Sequence, residues 1–584
     1  TYITPTSVGV AFAGDPAVDP ARYFMDPKNP SNNYQIQKVN QEGTDWYHEV
    51  YKKAPRMSHT LTASGGTDLS NYLFSLGVYD EEGTLITSHL KRYSARINTS
   101  FSPVKSIRFG ENINLFYKDN PLVPITVEAG EFSSLGLHLN LMPIIPVYDI
   151  AGNYGGTRAG PRLGTQRNPV AWFNAMNDDR NYSWNTIGNA FLEVDFLKHF
   201  TARTSIGGSL TNGFAQSFYR KEYYRSEFFN NPNKYTESFY YSNRLISTTT
   251  LTYANKIGDH DINFIAGVES IRNYRKSMGG SRDGYAIEVF DYMTLSAGTS
   301  NVTNNSTIAE DRLLSQFGKL SYNYQGKYLL GVTVRRDGSS KFGPENRFGV
   351  FPSFSLGWRI SQEKFLSNVS WLNDLKLRAS YGVLGSQVNV GADNQFDLYG
   401  STFTSSYYDI NGSSSSIVQG FYQSVIGNRA TGWEKDIVSN IGLDVTVFKN
   451  LTFEVEVFKK SINGLLFSMP LPATVGGASK PIVNIGDIRN TGLDFTGRYR
   501  GNITNDLGIS VIANISTYNN EVVDVPDPGY FDGGTGTRNQ EGHPVGSFFG
   551  YDVVKIFSSA EEVAASPPQD GALPGRFMFR DVNG

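Results

Sequence analysis

Apolar and polar residues alternate with a period of two through most of this chain, and this alternation constrains its fold more than any other feature. It is clearest in residues 441–447 and 451–457, which a tight turn joins. In both runs the apolar side chains take one parity and the polar or small ones take the other. Because successive side chains of a strand point to opposite faces, this hairpin predicts a sheet with one apolar and one hydrophilic face.

Sixteen segments with this pattern are predicted to be strands. They are residues 58–64, 71–80, 91–101, 106–117, 186–198, 201–214, 243–256, 260–274, 312–325, 327–337, 348–361, 375–385, 434–447, 451–463, 488–500 and 507–519. Most approach or exceed the roughly 9 to 11 residues that cross a bilayer at a tilt, whereas strands of soluble proteins typically have about 5 or 6. Strand length therefore favours lipid, rather than a second packed sheet, as the partner of the apolar face.

The connections between these segments alternate between short and long. The short ones are residues 102–105, 198–200, 257–259, 325–326 and 448–450, and the long ones are 118–185, 215–242, 275–311, 386–433, 464–487 and 520 onward. Tight turns at one end and large loops at the other are typical of an outer-membrane barrel. Residues 362–374 are an exception, because they form a longer connection on the side of the tight turns.

Aromatic residues lie close to three of the tight turns. They are Tyr322, Tyr324, Tyr328, Trp358, Trp371, Phe448 and Phe453. Rings at a membrane interface bury their apolar body and keep their polar edge in water, although taken alone these residues would equally suit the core of a sandwich. If the apolar parity faces lipid, the charged residues of the other parity face a polar lumen, namely Lys376, Arg378, Asp444, Glu454 and Glu456.

Composition excludes several other classes of protein. The net charge is −3 and the basic residues are scattered, so the chain lacks the basic patch of a nucleic-acid-binding protein. It contains no cysteine, which excludes disulfides and thiolate metal sites. No run of about 18 apolar residues is present to cross a membrane as a helix.

Motifs of enzymatic catalysis are missing. His48-Glu49 is followed by Lys52 where a zinc-binding helix would need a second histidine, and neither a nucleophile elbow nor a phosphate-binding loop occurs. The acid pair Asp178-Asp179 lies in a predicted loop, where solvated turn residues are more common than a catalytic dyad. The sequence therefore predicts a protein that is not an enzyme.

Two loops rich in aromatic residues, 219–241 and 403–422, are candidates for ligand binding. Rigid rings interleaved with Ser and Asn can stack on sugars or pack on peptides, and the alternative is that they cover one another at the rim. The predicted substrate-binding residues are Tyr223, Tyr224, Phe228, Tyr240, Tyr407 and Tyr408. Asp581 and Asn583 have the spacing that begins a calcium loop, with a polar turn as the alternative. Apart from structural calcium there, no cofactor is expected.

A series of short stretches resembles SusC/RagA-type TonB-dependent receptors of Bacteroidota. The stretches occur in family order at residues 44–46, 54–55, 59–66, 71–72, 83, 91–93, 335–342, 351–353, 357–359, 375–382, 433–434, 490–492 and 542–551. They include His-Thr-Leu-Thr-Ala-Ser-Gly-Gly from residue 59 and Arg-Arg-Asp-Gly-Ser-Ser-Lys-Phe from residue 335. Together they span most of the chain.

The resemblance implies an all-β fold, a transmembrane antiparallel barrel of about 22 strands with long extracellular loops. Residues 1–584 would be one partial barrel domain, with one strand before the sixteen and five after them. The chain begins without a charged or apolar leader and ends without a closing strand, so it is expected to be a fragment. The signal peptide, plug, TonB-contacting box and last strands are expected to be absent.

The resemblance also implies a function, the active import of large nutrients across the Gram-negative outer membrane. The implied partners are a SusD-like lipoprotein lid, the TonB–ExbB–ExbD complex acting through the missing plug, outer-membrane lipid, and a glycan or peptide substrate; nucleic acid is not among them. Two alternatives stay open. One is a TonB-dependent receptor for a siderophore or metal chelate, and the other is a secreted β-rich adhesin or lectin.

Overall fold

The computed structural model describes most of the chain. The described residues are 1–7, 10–26, 32–121, 136–226, 232–403, 405–412, 416–468, 474, 476–527, 529–534 and 536–582. Statements about structure below refer to these ranges.

One large antiparallel sheet contains sixteen strands in the order of the chain. Its strands are β1 (Arg56–Thr67), β2 (Ser70–Glu82), β3 (His89–Val104), β4 (Ile107–Asp119), β5 (Arg180–Phe196), β6 (Phe200–Tyr219), β7 (Lys234–Ile257), β8 (His260–Asp283), β9 (Ser300–Tyr324), β10 (Tyr328–Ser339), β11 (Phe348–Arg359), β12 (Leu372–Ser386), β13 (Glu434–Val447), β14 (Leu451–Asn463), β15 (Asp487–Asn502) and β16 (Gly508–Asp524). All sixteen predicted strands are confirmed. The largest difference is that β8 and β9 extend far into the predicted loop 275–311, because β8 ends at Asp283 and β9 begins at Ser300.

Shorter elements occupy the connections. The small strands are Tyr2–Ile3, Gln37–Lys38, Leu398–Gly400, Tyr408–Asp409, Ile417–Val418, Tyr422–Val425, Leu466–Ser468, Ile482–Asn484, Tyr530–Gly534, Thr537–Gln540, Ser547–Phe548, Val553–Ile556 and Phe577–Phe579. The α-helices are α1 (Trp46–Val50), α2 (Leu137–Asn140), α3 (Pro169–Ala175) and α4 (Ala560–Ala565). Short 3-10 helices are Pro16–Val18, Pro20–Arg22, Thr157–Ala159, Phe290–Tyr292, Leu295–Ala297, Ile360–Gln362 and Lys364–Leu366. Among the described residues, no helix has the length and apolar character needed to cross a membrane.

The chain divides into two compact units. Unit 1 consists of Thr1–Thr249 and Glu269–Arg312, and unit 2 consists of Thr250–Val268 and Leu313–Gly584. Strands β7, β8 and β9 contribute residues to both. Each unit is described by itself below.

Strands β12 to β16 of unit 2 keep the predicted parity across five neighbouring strands. One row across them is wholly apolar, namely Leu377, Leu443, Val455, Phe495 and Ile515. The adjoining row is wholly polar, namely Lys376, Asp444, Glu454, Thr496 and Asn514. Ile441 is 63% exposed and Ile515 is 58% exposed, so the apolar face is open within the unit. The two-faced hairpin predicted from the sequence is confirmed.

Charged side chains on the polar face of unit 2 pair with one another across the strands. Lys376 Nζ lies 3.2 Å from Asp444 Oδ2, and Arg378 Nε donates to Asp444 Oδ1 at 3.0 Å. Arg378 also pairs with Glu456, and to do so its side chain crosses Gly442 on the strand between them. A Cβ at Gly442 would lie 2.5 Å from Arg378 Cζ, so the glycine provides the space that this pairing needs. The five charged residues predicted to share a face therefore do so.

Residues 362–374 form the longer connection on the side of the tight turns, and Glu363 attaches it to the ends of β10 and β11. Its carboxylate accepts hydrogen bonds from the Tyr328 hydroxyl at 2.7 Å and from the Trp358 indole N–H at 3.1 Å. Lys327 Nζ lies 3.4 Å from the other carboxylate oxygen. Both rings keep their apolar bodies partly exposed while their polar edges are bonded, which is the arrangement expected of an interfacial aromatic girdle.

Aromatic rings form the core at the loop end of unit 2. The centroid of the Trp433 ring lies 5.4 Å from that of Phe351 and 5.0 Å from that of Phe342. Phe351 fits there because two glycines face its ring, and a Cβ at Gly385 would lie 2.1 Å from Phe351 Cζ. Since Phe351 is only 5% exposed, its ring has little room to move aside.

The core of unit 1 joins the N-terminal segment to the loop between β4 and β5. Trp46 and Val50 of α1 pack with Ile145, and with Val170 and Phe173 of α3. All five are buried. The Trp46 indole N–H also donates to the carbonyl of Met142 at 3.4 Å. This core fixes α3 in place beside the loop end of β6.

Substituting Gly385 by Ala is expected to destabilise unit 2 by about 1–3 kcal/mol, because the new methyl group overlaps the buried Phe351 ring. Chemical unfolding of the purified protein in detergent measures the change. Gly318→Ala is the matched control, since the nearest atom to a Cβ there is 3.9 Å away, and a change within about 0.5 kcal/mol is expected. Equal stability of the two variants would contradict this account of the core.

Candidate functional site

A cavity of about 430 Å³ lies in unit 1 between α3 and the segment that follows β6. Its walls are mainly aromatic and apolar, with a few polar groups directed inward. Lining residues include Tyr154, Trp172, Asp179, Phe218, Arg220 and Tyr223. A concave apolar surface with a small number of polar groups is the usual form of a ligand site.

Asn168 determines where α3 begins and how it is attached. Its side-chain oxygen accepts from the N–H of Ala171 at 3.1 Å, and Pro169 occupies the first turn, where its missing N–H is not needed. The Asn168 amide donates to the carbonyls of Val147 and Gly155, at 3.0 Å and 2.9 Å. The helix that carries Trp172 is therefore fixed to the neighbouring loop by a fully buried side chain.

Tyrosine rings form a continuous group along one wall. The Tyr223 and Tyr224 centroids are 5.4 Å apart with nearly perpendicular planes, and Tyr154 lies 6.3 Å from Tyr224. The Tyr223 hydroxyl accepts from the N–H of Tyr154 at 3.1 Å, and burial raises the pKa of Tyr223 to about 12. Tyr224 is only 5% exposed, so it supports the wall from behind, whereas Tyr223 is partly open to the cavity.

Buried charges hold the segment after β6 against the loop. Glu222 Oε2 accepts from Arg167 Nε at 3.3 Å and pairs with Arg225 at 3.5 Å, and the Glu222 side chain is only 4% exposed. The Arg167 guanidinium also lies 3.9 Å from the centre of the Trp172 ring. This cation–π contact orients the tryptophan at the cavity.

The neighbouring acids Asp178 and Asp179 have separate partners. Asp178 pairs with Arg220 at 2.7 Å, and Asp179 accepts from the N–H of Phe218 at 2.9 Å. Burial raises the pKa of Asp179 to about 6. The sequence predicted two solvated turn residues, but Asp179 is largely withdrawn from water because it closes one side of the cavity.

The structure brings together only some of the predicted ligand-binding residues. Tyr223 and Tyr224 share the cavity, whereas the Tyr240 ring lies over Gly213 on the strand next to it. Tyr407 and Tyr408 belong to unit 2, where Tyr408 is 63% exposed and the Tyr407 ring packs 5.8 Å from Phe403. Phe228 lies outside the described residues. These ligand assignments stay predictions.

Only one of the two predicted calcium ligands lies among the described residues. Asp581 is described and exposed, but Asn583 lies outside the described residues. Within the ranges given above, no group of three or more His, Cys, Asp or Glu side chains has a metal-binding arrangement. Calcium binding at this loop stays a prediction.

Sequence reasoning missed Trp172, Arg167 and Glu222. The one local signal was Asn168-Pro169, a helix start that would have placed Trp172 on the first turns of a short helix. Nothing in the sequence indicated that Arg167 and Glu222 would meet across 55 residues.

Comparison with known proteins relates this chain to one family. The family "TonB dependent receptor-like, beta-barrel" matches residues 130–571. TonB-dependent receptor P3 of Formosa agariphila is 27% identical over 573 residues, which are 95% of this chain and 55% of that protein. TonB-dependent receptor SusC of Bacteroides thetaiotaomicron is 27% identical over 515 residues, which are 82% of this chain and 48% of that protein. The chain thus spans about half the length of these relatives.

A solved structure shares the fold. The structure of the RagAB peptide transporter aligns with a TM-score of 0.78 at 24% identity, covering 89% of this chain and 57% of that one. At this level of identity the likeness shows the fold alone.

Substituting Asp179 by Asn is expected to remove a pH dependence from this loop. The raised pKa of Asp179 means that its stabilising contribution is complete in acid, below about pH 4, and is lost as the pH rises through about 6. The asparagine side chain cannot ionise, and its oxygen can still accept the hydrogen bond from the N–H of Phe218. At neutral pH the loop of the variant should therefore be up to about 2–3 kcal/mol more stable than that of the wild type. Hydrogen exchange of residues 169–224 at pH 5 and pH 7.5 measures this. Asp178→Asn should keep the wild-type trend, and the same trend in Asp179→Asn would refute the expectation.

Proposed function

Because this chain belongs to the TonB dependent receptor-like β-barrel family, we propose that it is part of an outer-membrane receptor that imports large nutrients with energy supplied through TonB. One observation carries this proposal, namely that 95% of the chain aligns with a named TonB-dependent receptor. The similarity to SusC supports nutrient import over the import of a metal chelate. The activity is binding and transport, with no covalent step.

The physical features of the sheet fit this role. Its exposed apolar rows suit contact with lipid, and the paired charges on the other face of unit 2 suit a wet interior. In the whole receptor that interior holds a plug, which TonB, ExbB and ExbD remodel by using the proton gradient of the inner membrane. A SusD-like lipoprotein closes the extracellular mouth over the captured nutrient. Each of these parts belongs to the proposal.

The aromatic cavity of unit 1 contributes to nutrient binding. Trp172 and Tyr223 supply flat apolar surfaces, and Asn174, Asp179 and Arg220 supply polar groups around them. Such a surface suits an oligosaccharide, whose rings stack on aromatics, and equally suits a peptide with apolar side chains. The nutrient is therefore proposed as an oligosaccharide or a peptide.

Uptake through the full-length receptor is expected to depend on TonB. Cells that contain the receptor and its lipoprotein are offered fluorescent oligosaccharides and a labelled tryptic peptide mixture, and one of these should accumulate. Accumulation should stop when TonB is deleted or when a protonophore collapses the proton gradient. Accumulation that continues unchanged without TonB would contradict the proposed function.

Truncating the rings of the cavity is expected to weaken binding of that nutrient. Trp172→Ala and Tyr223→Ala should each raise the dissociation constant by roughly 2- to 13-fold, since an aromatic contact contributes about 0.5–1.5 kcal/mol beyond its buried area. Calorimetry on the receptor–lipoprotein complex gives the constants. Tyr292→Ala is the control, because Tyr292 is 74% exposed and does not line the cavity. Unchanged affinity in both cavity variants would remove this cavity from the binding surface.

A further inference from the structure

Strand β9 has a long open edge. β9 contains 25 residues, but β10 pairs only with the part from Leu313 to Tyr324. On that side Ser300–Asp311 have no strand partner within the described part of the chain, although β8 adjoins them on the other side. Residues 300–309 are all exposed. At about 3.3 Å per residue, the open edge is roughly 30 Å long or more.

Side-chain hydrogen bonds keep this edge extended rather than frayed. Thr303 and Ser281 hydroxyls are 2.7 Å apart, and Thr307 and Ser277 hydroxyls are 2.6 Å apart. Two further bonds to β8 continue the series at its ends, from Asn301 to Asp283 and from Asn273 to Asp311, both at 2.7 Å. The edge is therefore a formed strand whose outer backbone groups face water.

From Val302 to Ala309 the sequence of this edge contains none of the devices that normally protect an edge strand. The charged residues Glu310, Asp311 and Arg312 follow this part, and Asn301 before it has a positive φ of 51°. Residues 300–309 read Ser-Asn-Val-Thr-Asn-Asn-Ser-Thr-Ile-Ala, with no proline, no lysine and no other charge. Val302 is 62% exposed and Ile308 is 64% exposed, on the same face of the strand. Charged residues, prolines and bulges are what keep open edges from pairing with other chains. A strand without them is suited to pairing.

We propose that a strand of the lipoprotein lid adds to the sheet along residues 302–309. This inference rests on the proposed function, because it takes the lid as the partner. The open row of N–H and C=O groups is complementary only to another extended polypeptide, and the uncharged edge fits an uncharged strand with apolar residues opposite Val302 and Ile308. A stable partner fits better than a transported peptide, since an unprotected edge needs lasting cover.

The length of β9 places this edge on the side where a lid would be. β9 ends in the tight turn before Tyr328, and crossing a bilayer takes only about 9 to 11 residues. Residues 300–312 follow the long-loop end of the strand and therefore extend beyond the membrane on the extracellular side.

Hydrogen exchange on the full-length receptor with and without its lipoprotein tests this inference. The peptide covering residues 300–312 should exchange about tenfold more slowly in the complex, because the added strand protects its outward amides. Residues 451–463, which have strands on both sides, serve as the internal control and should be unchanged. Protection of residues 300–312 already present without the lipoprotein would assign the edge to a second copy or to another part of the receptor, and would overturn the proposal.

A pair of variants separates pairing from general surface effects. Asn304→Lys combined with Ser306→Lys places charges on the open edge, and should weaken lipoprotein binding about tenfold. Asn505→Lys adds the same kind of charge to an exposed residue of the tight turn between β15 and β16 and should leave binding unchanged. If the lipoprotein binds but neither exchange nor the edge variants respond, only this inference fails. If the lipoprotein does not associate with the receptor at all, the proposed function fails with it.

Discussion

The parity of side chains along the main sheet is the constraint on which the rest of this structure depends. A slip of one residue between β12 and β13 would move Lys376 and Arg378 to the apolar face, and Leu377 to the polar one. In a membrane each basic residue near the midplane would cost about 2–4 kcal/mol. The cross-strand pairing of Arg378 with Glu456 adds a second restriction, because the Arg378 side chain crosses Gly442 to reach it. Register is thus specified by both faces.

Because the register of the sheet is specified by both faces, the loops are free to provide the proposed binding surfaces. In unit 1 the cavity is built at the end of β6 from a helix of only seven residues, which would be unstable alone. The Asn168 cap, the buried Glu222 with its two arginines and the core around Trp46 hold it in place. Removing one partner from such a buried pair leaves an uncompensated charge, so this arrangement favours a single loop conformation.

The sequence predicted those parts of the fold in which the two faces differ in polarity. All sixteen main strands were found because their apolar and polar positions contrast, and the hairpin of β13 and β14 is the clearest case. Both faces of the start of β9 are in water, so residues 300–309 show no alternation of apolar and polar side chains. The sequence therefore predicts a loop there. The site was less predictable. Tyr223 was predicted from its aromatic neighbourhood and lines the cavity, whereas Trp172 and Glu222 acquire their positions from contacts distant in sequence.

The difference between strand segments that alternate in polarity and segments that do not also explains where an open edge can exist. Within a bilayer an unpaired backbone group costs several kcal/mol, so a strand there needs a neighbour on each side. Within the described part of the chain, β9 has two neighbouring strands over Leu313–Tyr324, namely β8 and β10, and only β8 over the water-exposed residues 300–309. In the proposed receptor these residues lie outside the bilayer, so the penalty for unpaired backbone groups does not apply to them. Their polar sequence also lacks the alternation that would direct apolar side chains to lipid. The proposed surfaces for partners and ligands therefore lie where the strands of unit 1 pass beyond the part that alternates.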